Sequence, residues 1–318
     1  YPVETEDGQI KWVLSRGGRR YKIGDFRREG GSWKFLPDEA YRTDDGIMNF
    51  GHDSYAAMTY YVQDFGTEQE PQIPKIIEIN WMNTWENYCN QVAEVNGSDF
   101  NGTFNLHLEA GLKKENGTYV LTQTPVEAYK ELRLEEQKIE YQRTEAGEDN
   151  TLLADFQGDT YEIVSRFYPR GGTRKVGFRL RTGEGQETLV LYDVTEKRLS
   201  IDRSNSGIRI NDNKFIEVYG QHMEQNEDGS VDLHIYVDRS SVEVFGKGYT
   251  VAGAEQIFPS RAGMGAAVLI EGENAEVECT VYPLKSIWRD DTKDPDTEEK
   301  PGGDNTGDGE QKPGGDNT

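Results

Sequence analysis

The 318 residues suffice for two domains of ordinary size, and 17 Tyr, 12 Phe and 5 Trp supply enough large apolar surface for buried cores. A formal net charge of −23 opposes phosphate-rich partners, which argues against nucleic acid and anionic lipid as ligands but leaves a neutral ligand such as a sugar unaffected. No run approaches the roughly 18 apolar residues of a membrane-spanning helix, and a chain that opens at Tyr1 in mid-pattern says nothing about a leader peptide.

Strand signals recur from the beginning, as short runs of Val, Ile, Tyr and Phe alternating with polar residues and cut by Gly, Asn and Asp. KWVLSRGG at 11–18 is the first clear one. Asn-Gly pairs at 101–102 and 116–117, like Asp44-Asp45-Gly46, read as turns, and the last lacks the ligand spacing of a calcium loop. The segment Thr124–Tyr141 departs from the pattern: Val126, Tyr129, Leu132 and Ile139 recur at helix-like intervals, and Pro125 suits a first helical turn. A partly helical connector over 126–140 is therefore expected between two all-β units, 1–125 and 141–289.

Strands resume with KVGFRLRTGEG at 175–185, ETLVLYDV at 187–194 and VDLHIYVDRSSVEVFG at 231–246. In the last, Val231, Leu233, Ile235 and Val237 share one face after an Asp228-Gly229 turn. Asp238 and Glu243 resemble a paired-carboxylate site, but an odd offset along a strand sends them to opposite faces, so a structural role is expected. Cys279 alternates with Val277 and Val281 and is expected to face a core as a small hydrophobe. Cys89 and Cys279 make no disulfide framework, and with four scattered histidines they suggest no zinc site. After Trp288 the composition collapses to Asp, Glu, Lys, Pro, Gly and Thr, and KPGGDNT occurs at 300–306 and again at 312–318. Such a tail (290–318) buries too little apolar surface to fold and is expected to stay disordered. It reads as a spacer to a cell surface, with wall attachment through sequence beyond it.

The ordered stretches KWVLSRGGRRYKIGDF (11–26), GHDSYAAMTYY (51–61), INWMNTWENY (79–88), QTPVEAYKELR (123–133), LYDVTEKRLSIDRSNSG (191–207), VDLHIYVDRSSVEVFGKGYTVAGAEQIFP (231–259) and YPLKSIW (282–288) resemble glycoside hydrolase family 32, the levanases, inulinases and invertases. The resemblance implies an all-β chain holding the last blades of a five-bladed β-propeller, then a β-sandwich. It also implies retaining hydrolysis of β-D-fructofuranosidic bonds without metal or organic cofactor. In that chemistry an Asp attacks the anomeric carbon while a Glu protonates the leaving oxygen, the two carboxyls lying about 5–5.5 Å apart.

Neither carboxylate maps onto this chain. The Trp-Met-Asn-Asp-Pro and Arg-Asp-Pro motifs have no match, WMN at 81–83 continues into Thr84-Trp85, and the Glu-Cys-Pro motif would precede the KWVL strand. The chain alone is therefore expected to be inactive. What the resemblance does transfer is pocket wall: Asp53 and Tyr55 match an Asp-x-Tyr strand whose Tyr faces the funnel, and Trp81 matches the Trp that floors the sugar site. Read from pattern alone, Tyr55 could equally be a blade-core residue and Trp81 an inter-blade packing residue. Asn80 stands where Gly is usual and Met58 where Gln is common. Fructan or a sucrose-like sugar is the expected substrate, met outside the cell. A non-catalytic carbohydrate-binding module or a surface spacer is the alternative.

Overall fold

The computed structural model describes residues 1–62, 66–70, 72–85, 88–97, 99–210 and 212–287. Alternating sequences produce four antiparallel sheets. In the first, β1 (Pro2–Glu4), β2 (Ile10–Arg16), β3 (Arg20–Glu29) and β4 (Ser32–Pro37) follow one another as a meander, and β5 (Gly46–Ile47) pairs with β3. The second contains β6 (Tyr55–Tyr61), β7 (Ile76–Met82), β8 (Thr103–Phe104), β9 (Leu108–Glu115) and β10 (Thr118–Pro125), in the order β10-β9-β7-β6 with β8 on β7. A short helix, α1 (Val92–Asn96), precedes β8. Asn116 and Gly117 both have positive φ, 48° and 84°, as the two-residue β9–β10 turn requires.

These two sheets pack on each other through Val13, Tyr21 and Ile23 on one side and Ile76, Leu112 and Leu121 on the other. The far face of the first sheet is apolar as well. Trp12, Phe26 and Phe35 form a chain of edge-to-face rings there, and Ile10, Leu14 and Trp33 are exposed. A sheet that is apolar on both faces is built to be covered twice.

The remaining strands are β11 (Ile139–Ala146), β12 (Tyr161–Tyr168), β13 (Thr173–Gly183), β14 (Gln186–Asp193), β15 (Arg198–Asn205), β16 (Tyr219–His222), β17 (Val231–Asp238), β18 (Ser241–Gly246), β19 (Val251–Gln256), β20 (Gly265–Gly272) and β21 (Ala275–Pro283), with helix α2 (Asn213–Ile216) before β16. They form a six-stranded sheet, β11-β21-β12-β17-β18-β19, and a five-stranded sheet, β16-β15-β14-β13-β20. Inward residues of the first, including Ile163, Phe167, Leu233, Ile235 and Cys279, share one core with Val176, Phe178, Leu180, Val190 and Tyr192 of the second. This is a two-layer β-sandwich. The alternation of Val231, Leu233, Ile235 and Val237 places all four in that core, as their spacing implies.

Two sequence expectations need correction. Residues 231–246 are a hairpin, with Asp238 opposite Ser241 and Glu243 opposite Tyr236, so the two carboxylates stand on different strands rather than at an odd offset along one. Pro125 closes β10, opposite Leu108, and opens no helix. It sits at the end of an edge strand, where its missing N–H costs no ladder bond. The connector then folds as 3₁₀ turns at Glu127–Leu132 and Glu135–Gln137, and Ile139 already belongs to β11. The three-residue spacing of Val126, Tyr129 and Leu132 suits three residues per turn better than 3.6.

The connector is pinned on both sides. Tyr129 Oη accepts from the His107 backbone N–H at 3.0 Å, while Arg133 donates twice to Glu162 of β12, at 2.7 and 2.6 Å, and lies 4.1 Å above the Tyr282 ring. Residues Tyr1–Lys285 form one compact unit. Trp288, both KPGGDNT copies and the tail expected at 290–318 lie outside the described residues.

Candidate functional site

β6 is the edge strand of its sheet, and Tyr55 is its first residue. Tyr55 stands directly opposite Trp81 of β7, and Trp81 opposite Phe104 of β8. Direct cross-strand partners project to one face, so Tyr55 and Trp81 share a side of the sheet, and both are half-buried. The Trp81 ring meets Trp85 at 5.1 Å, and Trp85 and Phe104 are 74% and 69% exposed. Gly102, at φ +81°, closes onto the indole: a Cβ there would stand 2.5 Å from Trp81 Nε1. A cavity of about 450 Å³ opens beside Tyr55, bounded also by Arg16, Arg19, Asn49, Phe50 and Gly220; Trp81 does not line it. Arg16 is held by Asp45 at 2.5 Å, and Arg19 donates to the Gly51 carbonyl at 2.7 Å.

Asp53 is not on this wall. Its carboxylate is fully buried in a seam where the loop before β6 meets the sandwich. Oδ1 accepts from Tyr88 Oη at 2.6 Å, and Oδ2 accepts from the Gln256 backbone N–H at 2.8 Å and from Arg203 Nη1. Arg203, on β15, is fully buried and needs counter-charges. Besides Asp53 it reaches Glu255 of β19 at 3.0 Å, the Phe215 carbonyl at 2.8 Å and the Gln256 carbonyl at 2.9 Å, and it stacks 4.1 Å above the Phe215 ring.

One cation thus faces two carboxyls in a dry site. Burial pushes both carboxyls towards the neutral form; at Asp53 the Arg203 charge and the hydrogen bonds from Tyr88, the Gln256 N–H and Arg203 together outweigh it, holding the group below the usual carboxylate range. At Glu255 burial prevails and the pKa rises to about 8. Asp53 keeps the negative charge and Glu255 the proton. Glu255 Oε1 also accepts from the His52 N–H at 2.8 Å.

Glu243 is a second buried carboxyl between sandwich and blade. It accepts from the Leu106 N–H at 2.9 Å and from Asn105 Nδ2 at 3.4 Å, and burial raises its pKa to about 7. A structural place for Glu243 agrees with its reading from sequence. No role was read for Arg203, Glu255 or Tyr88. The signal was present: Arg203 continues the inward alternation Leu199-Ile201, and Glu255 interrupts the apolar run of β19. Among the described residues, no group of three or more His, Cys, Asp or Glu side chains is placed to hold a metal ion.

The chain is 57% identical over 290 residues to a fructan beta-fructosidase of Streptococcus mutans, an alignment covering 91% of this chain and 20% of that protein. Residues 128–283 match the family model described as glycosyl hydrolases family 32 C terminal. The chain belongs to glycoside hydrolase family 32. A levanase of Bacillus subtilis is 30% identical over 90% of this chain and 42% of its own length. The crystal structure of exo-inulinase from Aspergillus awamori superposes with a TM-score of 0.75 at 26% identity, covering 91% of this chain and 56% of that one. The chain therefore spans between a fifth and somewhat over half of these relatives. Its first two sheets are propeller blades, and its last two are the C-terminal sandwich of the family 32 fold.

Proposed function

We propose that this chain is the C-terminal part of a retaining glycosidase that cleaves β-D-fructofuranosidic bonds, and that Tyr55 and Trp81 form part of the sugar-pocket wall. One observation carries the reading: Tyr55, on the edge strand β6, borders an open cavity of about 450 Å³ and stands opposite Trp81 of the neighbouring strand β7, on the same side of the sheet. An indole face offers apolar contact to the C–H surface of a furanose ring without requiring charge, and the phenol supplies a hydrogen-bonding tip. Asp53 serves the wall from behind rather than by touching sugar. Levan or inulin is the substrate class, reached outside the cell, with residues 290–318 as an acidic spacer and no cofactor required. The division into blades at 1–125, connector at 126–140 and sandwich at 141–289 belongs to the same reading.

The nucleophile and the acid come from the parent sequence upstream, so residues 1–318 alone should release no fructose from levan, whereas the parent should. In the parent, Trp81→Ala should lower kcat/KM on levan by about 100-fold, near 2.7 kcal/mol of transition-state stabilisation. A Trp81→Ala parent within twofold of wild type would overturn the wall assignment. Retention of 1–318 on insoluble levan, with a parent that turns nothing over, would mark a binding module instead.

A further inference from the structure

The residues immediately before Tyr55 and Trp81 are held from the sandwich. Asp53, two positions before Tyr55, is bound by Arg203 of β15 and by the backbone of Gln256 at the end of β19. Ser54 Oγ accepts from Asn80 Nδ2 at 2.6 Å, joining the residue before Tyr55 to the residue before Trp81. The Asn80 carbonyl accepts from the Asn105 N–H at 3.0 Å; Asn105 Nδ2 reaches the Asp53 carbonyl and Glu243 of β18, each at 3.4 Å. β19 runs against the same loop: the Phe50 N–H donates to the Ala252 carbonyl at 2.8 Å, and a Cβ on Gly51 would stand 1.9 Å from the Ala254 oxygen.

We infer that Arg203 and Glu243 of the sandwich are positioning residues for the sugar site, fixing Tyr55 through Asp53 and Trp81 through Asn105 and Asn80. The inference rests on the functional reading above. A buried ion pair is a poor source of stability, since apolar residues of equal volume often hold a seam as well or better. What charged, hydrogen-bonded anchors add is a single permitted alignment, because a shift of an ångström leaves buried donors and carboxylates unmatched. Tyr55 is on β6, the edge strand of its sheet, with β7 as its one strand partner among the described residues, so further alignment must come from elsewhere in the fold. The sandwich supplies it.

The test uses the parent protein with its upstream sequence, assayed on levan, with Arg203→Lys, Tyr55→Phe and Arg133→Lys as variants. Arg203→Lys keeps the charge but loses the planar fork; Arg133→Lys perturbs the tie between the connector and β12 of the sandwich, away from the bonds that reach Tyr55 and Trp81. Arg203→Lys should lose at least tenfold in kcat/KM and divide the loss between kcat and KM as Tyr55→Phe does. Arg133→Lys, at a comparable fall in melting temperature, should stay within twofold of wild type. Equal kcat/KM for the two arginine variants would overturn the inference. If Arg203→Lys yields no folded protein, Asn105→Ala decides by the same criterion, a loss of threefold or more supporting the inference and a smaller one overturning it. A folded wild-type parent inactive on levan, inulin and sucrose overturns the functional reading itself, which the comparison among variants of an active parent cannot do.

Discussion

Replacing Glu243 by Gln should change stability by an amount that depends on pH. Glu243 is buried between sandwich and blade, and burial raises its pKa from the ordinary Glu value of about 4.5 to about 7, although the Leu106 N–H and Asn105 donate to it. The unfolded chain releases this proton near the ordinary Glu value. Between about pH 4.5 and 7 the folded state holds a proton that the unfolded state has lost, so stability falls as pH rises through that interval. Above pH 7 the ionised carboxylate sits in the seam at full cost. The interval of 7 − 4.5 = 2.5 pH units at roughly 1.36 kcal/mol each gives about 3 kcal/mol. A Gln keeps the carbonyl that accepts from Leu106 and never ionises. Glu243→Gln should therefore be within about 1 kcal/mol of wild type at pH 5 and more stable by about 3 kcal/mol at pH 8.5. Urea titrations followed by far-UV circular dichroism at both pH values, with unchanged slopes, measure the difference. A stabilisation no larger at pH 8.5 than at pH 5 would refute the reasoning.

The acid side behaves in the opposite sense. Burial raises the Glu162 pKa, but Arg133 and His234 outweigh it and bring the group down to about 2, so its contribution is present above pH 4.5 and lost as pH falls towards 2. Arg133→Ala leaves that carboxylate without its bidentate partner and should cost about 3–5 kcal/mol at pH 7, read as a lower urea midpoint, with a flatter loss of stability in acid. Phe178→Ala, in the fully buried centre of the sandwich, should cost about 3–5 kcal/mol by the same assay. The apolar far face of the first sheet, with Ile10, Leu14 and Trp33 exposed, should make residues 1–318 bind a hydrophobic dye and self-associate in sedimentation; the parent should do neither.

The sandwich was largely legible from sequence because its information is local. Alternation put Val231, Leu233, Ile235, Val237 and Cys279 in its core, and in the blade sheet Asn116-Gly117 marked the β9–β10 hairpin turn by the same local logic. Where two periods compete over a few residues, local pattern fails. Val126, Tyr129 and Leu132 fit a helix and a 3₁₀ turn alike, and only the pairing of Pro125 with Leu108 decides. Tyr55 and Trp81 come from the resemblance, since the alternation of β6 and β7 suits packing residues as well. The same resemblance places Asp53 on the wall, whereas its carboxylate is buried in the seam. Its partner, Arg203, lies 150 positions away, and no window on the sequence brings the two together.

That separation bears on why the seam is polar at all. Phe50 already reaches from the blade into the sandwich core, so apolar contact between the modules exists without any charge. Arg203, Asp53, Glu255 and Glu243 are nevertheless all buried there, each carrying a desolvation cost that apolar residues would avoid. Apolar contact is non-directional and tolerates sliding, whereas the bonds of Arg203 to Asp53 and of Glu243 to Asn105 and Leu106 form together only when β15 and β18 meet residues 53, 105 and 106 in one alignment. A module needed only for bulk stability has no use for that restriction. One that, on the proposed reading, must keep Tyr55 and Trp81 aligned across β6 and β7 does.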